Sequence, residues 1–210
     1  RDRSTGRSDD GSVHVEGGRG ERAVATGRWA LQPDALGSHE PDRARETLRR
    51  AVRREKTRIG LADVLDLRDQ DTVGSDLATV AHAAVDVACA AAEPKVPLAA
   101  LAVGRLAGGE LSYASDLDLV LVHDSDDADG REEALRAGDA VRRMLVGSAP
   151  ANRVYEVDLD LRPGGRSGPL VTSREALVAH LERWIEPWQR LALTRLRPLS
   201  GDPDLANAVL

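Results

Sequence analysis

Two aspartates separated by a single residue, Asp116 and Asp118, are the side chains in this sequence best placed to do chemistry. Successive side chains of a β-strand point to opposite faces, so on a strand both carboxylates share one face. Two adjacent negative charges repel each other and are costly to desolvate, and a bound divalent cation offsets both penalties. We therefore expect them to hold a metal ion. A solvated edge strand fits less well, because the same face continues as Val120 and Val122.

A glycine-rich turn, GRLAGGE at residues 104–110, lies shortly before this pair. Glycine lets the backbone approach a phosphate closely, so that N–H groups can bind its oxygens. The aspartates open an apolar run at residues 117–122, which is typical of a central buried strand. Turn, carboxylates and strand together indicate metal-dependent phosphoryl or nucleotidyl transfer. The turn lacks the Lys-Ser/Thr of a P-loop and does not follow the Rossmann pattern.

The length and composition of the chain limit the classes of function that it can have. The chain has 210 residues, enough for one good-sized domain, and a formal net charge of −6, which gives no reason to expect a nucleic-acid partner. A single cysteine, Cys89, excludes an internal disulfide and suits the reducing cytoplasm. No apolar run approaches the roughly 18 residues that a membrane span needs, and no signal peptide is visible. Because the chain begins with Arg1 rather than Met, we expect a fragment of something longer.

Four segments are predicted along the chain. Residues 1–42 are rich in Gly, Ser, Asp and Arg and are expected to form a flexible arm or the remnant of a preceding region. Residues 43–93 are predicted to be helical, with a bend at Gly60, and residues 94–172 to form the core. Within this core, strands are predicted at 98–103, 117–122 and 154–161, and a helix at about 132–146. Residues 173–210 are predicted to be a helical C-terminal segment, which we expect to be truncated.

Three stretches, taken together, resemble a known family: GRLAGGELSYASDLDL at residues 104–119, YEVDLDLRPGGRSGPLV at 155–171 and WIEPWQRLALTRLRP at 184–198. The first is similar to the nucleotidyltransferase superfamily of the DNA polymerase β type. The whole set, from about Leu48 to Asp204, resembles the glutamine synthetase adenylyltransferase/deadenylylase family.

The resemblance implies an α+β nucleotidyltransferase fold, with a short mixed β-sheet flanked by helices. It implies a cytoplasmic enzyme that uses Mg²⁺, or Mn²⁺, and takes ATP as substrate. Such an enzyme adds AMP to a tyrosine of glutamine synthetase, or removes it by phosphorolysis, and is regulated by a PII-type signalling protein. The residues serve either direction, and we lean slightly to the transferase half. Two alternatives stay open, a non-catalytic regulatory or binding module of this fold and a small-molecule nucleotidyltransferase.

The resemblance also assigns roles to single residues. Asp158 matches the third metal-binding carboxylate of the superfamily, although the face that it shares with Glu156 and Asp160 could simply be solvated. Gly104 would let the turn approach the triphosphate, so that Gly104→Val is expected to damage nucleotide binding more than stability. Arg105 would pair with phosphate oxygens.

Six other positions carry two interpretations each. Ser115 could contact the phosphates or cap the turn, and Arg162 and Arg166 could meet a phosphate or brace the loop between them. Ala107 stands where the family usually has glycine, which is harmless only if its φ is negative. Trp184 and Trp188, four residues apart, are expected to pack in a core rather than stack on a base.

Overall fold

The computed structural model of the chain describes residues 41–183 and 194–210. Almost all of the predicted arm, and both Trp184 and Trp188, lie outside these ranges. The described helices α1 to α6 are Pro41–Val64, Gln70–Ala91, Gly104–Gly108, Ala128–Val146, Arg174–Arg183 and Pro203–Asn207. The described strands β1 to β5 are Leu98–Ala102, Leu117–His123, Val157–Asp158, Thr172–Ser173 and Arg197–Gly201. The predicted α+β class, a small mixed sheet flanked by helices, is confirmed.

Strand β2 is at the centre of the sheet. The strand order is β3-β2-β1-β5, and β4 pairs with the far end of β2. Strand β1 runs antiparallel to both β2 and β5, whereas β2 runs parallel to β3 and β4. The register places Asp118 opposite Asp158. The start of β2 is therefore flanked by the end of β1 on one side and by β3 on the other.

Two apolar layers cover the sheet, and the alternation of β1 and β2 divides their side chains between them. One layer contains Leu117, Leu119 and Leu121 of β2 and packs beneath α1, α2 and α4. The other contains Val120 and Val122 and packs against α5 and α6. Because side chains two residues apart share a face, the Asp118 carboxylate lies on the second side, at the start of the strand. A strand held on both faces gives its terminal carboxylates a rigid base.

The C-terminal segment differs from its prediction as wholly helical. Residues 197–201 form β5, which pairs with β1 around an irregularity at Ala100 and Leu101. Strand β5 contains Pro198 and ends at Gly201, both of which usually argue against a strand. A proline is tolerated there because β5 lies at the edge of the sheet, where one side of its backbone has no strand to pair with.

Strand β3 is shorter than predicted, because its neighbours hold the chain elsewhere. The N–H groups of Val154 and Tyr155 both donate to the carbonyl of Leu145, at the end of α4. Beyond Asp158, the N–H of Asp160 donates to the Asp158 carboxylate at 2.7 Å, which turns the chain. Only Val157 and Asp158 remain free to pair with β2.

Helices α1 and α2 occupy the segment that was predicted to be helical, and α4 begins at Ala128 rather than near residue 132. Helix α1 is continuous through Gly60, where a bend was predicted. Helix α2 begins at Gln70 because the Asp69 side chain accepts from the N–H of Thr72 at 2.7 Å. Helix α2 is long and apolar enough to cross a membrane by length and composition, contrary to expectation. However, 72% of its most apolar window is buried inside the protein, as in a core helix.

Candidate metal and nucleotide site

The three predicted carboxylates converge on one small space. One oxygen from each of Asp116, Asp118 and Asp158 lies within 4.8 Å of the other two. The parallel register of β2 and β3 brings Asp118 and Asp158 side by side, and the N–H of Leu117 donates to the carbonyl of Glu156 at 2.9 Å. The structure thus brings together the three side chains that were predicted as metal ligands. Oxygen ligands in such a group suit a hard cation such as Mg²⁺ or Mn²⁺.

The electrostatics of the cluster also favour a cation. Burial raises the pKa of Asp118, the negative charges of Asp116 and Asp158 raise it further, and the guanidinium of Arg105 partly opposes them. A raised pKa means that the ionised carboxylate is disfavoured in its surroundings. Positive charge bound between the carboxylates would relieve this penalty.

Gly104 has a direct structural relation to Asp118. It follows β1 with φ +59°, in the left-handed region that favours glycine. A Cβ atom built on Gly104 would lie 2.5 Å from Oδ2 of Asp118, a contact too short for any side chain. The N–H of Val103 donates to the carbonyl of Asp118 at 3.0 Å and fixes the two segments together. The glycine therefore allows the turn to sit against the carboxylate cluster.

The turn itself is the short helix α3, and the alanine at position 107, where the family usually has glycine, fits this conformation. Ala107 is buried within the helix, and the described non-glycine residues with positive φ are Asp66 and Glu93. The alanine is therefore accommodated without strain. Gly109, with φ +70°, ends the helix, and its N–H donates to the carbonyl of Leu106.

Arg105 and Ser115 occupy different surroundings. Arg105 is exposed, makes no ion pair within the described part of the chain and lies close enough to Asp118 to lower its pKa. Ser115 is buried, and its Oγ accepts from the N–H of Ser112 at 2.9 Å and shares a hydrogen bond with the Ser112 hydroxyl. Of the two roles predicted for Ser115, the structure supports the cap, which shapes the loop leading to Asp116.

Arg162 supports the loop that follows β3. It is 8% exposed, its Nη1 donates to the carbonyl of Leu159 at 2.7 Å, and its Nε donates to that of Pro169 at 2.9 Å. These contacts support the bracing role over the phosphate-binding one. Arg166 behaves differently, because its Nε donates to Asp160 at 2.6 Å while 88% of its side chain stays exposed.

We expect Arg162→Ala to lower the free energy of unfolding by about 3 kcal/mol, because it removes a buried guanidinium and leaves the carbonyls of Leu159, Gly168 and Pro169 without this donor. Urea denaturation would measure this loss. Arg166→Ala, which removes an exposed arginine from the same loop, provides the matched control and should cost less than about 0.5 kcal/mol. An Arg162→Ala protein of normal stability that has lost only ATP binding would restore the phosphate role.

A long-range ion pair beside the turn was missed by sequence reasoning. Arg195 Nη1 lies 2.6 Å from Glu110 Oε2 and covers Gly108, where a Cβ would come within 2.7 Å of the same nitrogen. The pair joins the end of α3 to the residues before β5. No local pattern predicts it, because the partners are 85 residues apart in the chain.

Comparison with known proteins identifies the family. The model of the glutamate-ammonia ligase adenylyltransferase family matches residues 16–210. A bifunctional glutamine synthetase adenylyltransferase/adenylyl-removing enzyme of Mycolicibacterium smegmatis is 38% identical over an alignment of 192 residues, and the match covers 86% of this chain and 19% of that protein. The enzyme of the same name from Streptomyces coelicolor is 35% identical over an alignment of 173 residues, and the match covers 76% of this chain and 17% of that protein. The chain thus spans about a fifth of the length of these relatives, and it belongs to the glutamate-ammonia ligase adenylyltransferase family.

Proposed function

We propose that this chain contains the catalytic site of a nucleotidyltransferase that adds AMP from ATP to a tyrosine of glutamine synthetase, removes it by phosphorolysis, or does both. The observation that carries the proposal is the convergence of Asp116, Asp118 and Asp158 against the Gly104 turn. The names of the relatives, which state both adding and removing activities, support the choice of substrate.

The chemistry in each direction is a displacement at phosphorus. In transfer, the tyrosine oxygen bonds to the α-phosphorus of ATP, its proton is lost, and the bond to pyrophosphate breaks. In removal, a phosphate oxygen bonds to the phosphorus of the tyrosyl-AMP, the bond from that phosphorus to the tyrosine oxygen breaks, the tyrosine oxygen regains a proton, and the ADP so formed is released. The same groups serve both directions, because each passes through a similar charged phosphoryl group.

The roles of the residues follow from their positions. Asp116, Asp118 and Asp158 would hold Mg²⁺ or Mn²⁺, which supplies neutralisation of phosphate charge when bound. Gly104 would let the backbone come close to the phosphates, and Arg105 is exposed beside the cluster, where its guanidinium could bind their oxygens.

The rival functions are weaker. A small-molecule nucleotidyltransferase is disfavoured by membership of the adenylyltransferase family. A non-catalytic module of the same fold has no need of three carboxylates brought together at a cost in repulsion. We further propose a cytoplasmic location and regulation by a PII-type signalling protein, which follow from the family resemblance alone.

Two incubations test the function. With labelled ATP, Mg²⁺ and glutamine synthetase, we expect label on a synthetase tyrosine; with adenylylated synthetase and inorganic phosphate, we expect release of ADP. The Asp116→Asn variant should do neither, which controls for a contaminating enzyme. If both incubations fail with a folded protein, the proposed function is wrong.

A further inference from the structure

A groove of about 400 Å³ opens beside the carboxylate cluster, on the outer side of β3. Its lining includes four carboxylates, two of them from the cluster, and three arginines: Asp116, Asp158, Glu156, Asp160, Arg142, Arg162 and Arg166. Val157, Leu159 and Leu170 supply its apolar surface. Its volume falls within the range of ligand-binding clefts. The residues Asp118, Gly104 and Arg105 do not line it, so the groove is separate from the glycine turn.

The sheet order places the groove and the turn on opposite sides of β2. Gly104 follows β1, which lies next to β2 on one side, and Asp158 belongs to β3, which lies next to β2 on the other. The turn touches Asp118 from the first side, whereas the groove reaches Asp116 and Asp158 from the second. Two separate approaches therefore lead to one carboxylate cluster.

Displacement at phosphorus needs two such approaches, because the attacking and leaving oxygens lie roughly in line on opposite sides of the phosphorus. With the departing phosphates against the Gly104 turn, the attacking oxygen must arrive from the side of β3. We propose that the groove is the binding site for the tyrosine-bearing segment of the acceptor protein. This assignment rests on the proposed function, and it deepens it by separating the acceptor side from the nucleotide side.

The edge of the sheet supports an extended acceptor segment. In the described sheet β3 is the terminal strand, so no described strand pairs with the other side of its backbone. Extended peptides commonly bind by adding a strand to such an edge. A tyrosine bound there can pack its ring against Val157 and Leu170, which are half-buried, while its hydroxyl points to Asp158.

Arg166 is assigned as a specificity-determining residue of this groove. Its Nε donates to Asp160, but 88% of its side chain is exposed, and neither Nη group is engaged by a described residue. These N–H groups can bind an acidic side chain that flanks the acceptor tyrosine. The groove thus selects a tyrosine in an extended segment with a carboxylate beside it.

Separate Michaelis constants test the assignment. We expect Arg166→Ala to raise the KM for glutamine synthetase about tenfold, with the KM for ATP and the melting temperature unchanged. Leu170→Trp, which narrows the groove without changing its charge, should likewise raise the KM for glutamine synthetase and leave the KM for ATP unchanged. Arg50→Ala, a 70%-exposed arginine on α1 that does not line the groove, is the matched control and should change neither constant. Equal rises in both constants, or an unchanged acceptor KM, would overturn the assignment.

A crosslinking arm separates failure of the groove from failure of the proposed function. The photoreactive residue p-benzoylphenylalanine, placed at position 166 and in a second protein at position 50, records contact with glutamine synthetase without any turnover. We expect a crosslink from position 166 only. If the protein transfers AMP but does not form this crosslink, the proposed function stands and the assignment of the groove is wrong. If position 166 forms the crosslink but no AMP is transferred, the groove remains a docking site for glutamine synthetase and the proposed catalytic function is wrong.

Discussion

Asp118→Asn is expected to reduce the proposed AMP transfer by at least about a thousandfold, equivalent to about 4 kcal/mol of transition-state stabilisation, while the protein stays folded. The amide keeps the shape of the side chain but removes the negative charge that a hard cation needs. In the absence of metal, the variant should be as stable as the parent or more so, because burial and two neighbouring carboxylates raise the pKa of Asp118.

The sign of this stability effect is fixed by the direction of the pKa shift. A raised pKa penalises the ionised carboxylate, so at neutral pH the substitution removes a penalty. The gain should vanish as the pH falls through the pKa of Asp118, where the parent side chain becomes protonated and loses its charge. Denaturation in a chelating buffer at several pH values would show this trend.

Metal binding gives the decisive comparison for Asp118→Asn. At Mn²⁺ concentrations of about 100 times its dissociation constant, the parent protein should gain about 2.7 kcal/mol of stability, and the variant should gain much less. Asp126→Asn makes the same change in charge at an exposed position outside the cluster and should retain the full gain. Equal Mn²⁺ affinity in the parent and in Asp118→Asn, measured by calorimetry, would show that Asp118 is not part of the proposed metal site.

The parts of the fold that could be predicted are those with a local cause. Asp116 and Asp118 share a face because a strand alternates, and the apolar run after them requires a buried strand. The contribution of Asp158 needed the return of β3 beside β2, which the motif resemblance implied but no local pattern in the sequence fixes. Burial of Tyr155 and Leu159 keeps the predicted alternation even where strand pairing is absent.

The parts that could not be predicted depend on contacts between distant segments. Strand β5 contains residues that disfavour strands, and its pairing with β1 decides its conformation. The bracing role of Arg162 depends on a loop that brings the carbonyl of Pro169 back to its guanidinium. The pair between Arg195 and Glu110 joins parts of the sequence that share no period or motif.

Gly104→Ala is expected to disrupt both stability and metal binding. From the sequence alone, a substitution there was expected to spare stability, but φ +59° changes that expectation, because a non-glycine residue in this region costs about 1–2 kcal/mol. In addition, the new Cβ would lie 2.5 Å from Oδ2 of Asp118 and must push the carboxylate out of the cluster. Thermal denaturation and Mn²⁺ titration measure the two effects separately.

Gly109→Ala provides the matched control for Gly104→Ala, because Gly109 has a similar φ of +70° and a Cβ there would meet nothing within 4 Å. It should lose the same stability to backbone strain and keep its Mn²⁺ affinity. The excess loss of stability in Gly104→Ala, beyond the loss in Gly109→Ala, then measures the contact between the new Cβ and Asp118. In an Asp118→Ala background that excess should disappear, since the nearest remaining atom of residue 118 would be its Cβ, at 3.7 Å. If the excess loss of stability persists in the Asp118→Ala background, Gly104 is required for a reason unrelated to the carboxylate. Gly104 would then no longer be assigned to the site.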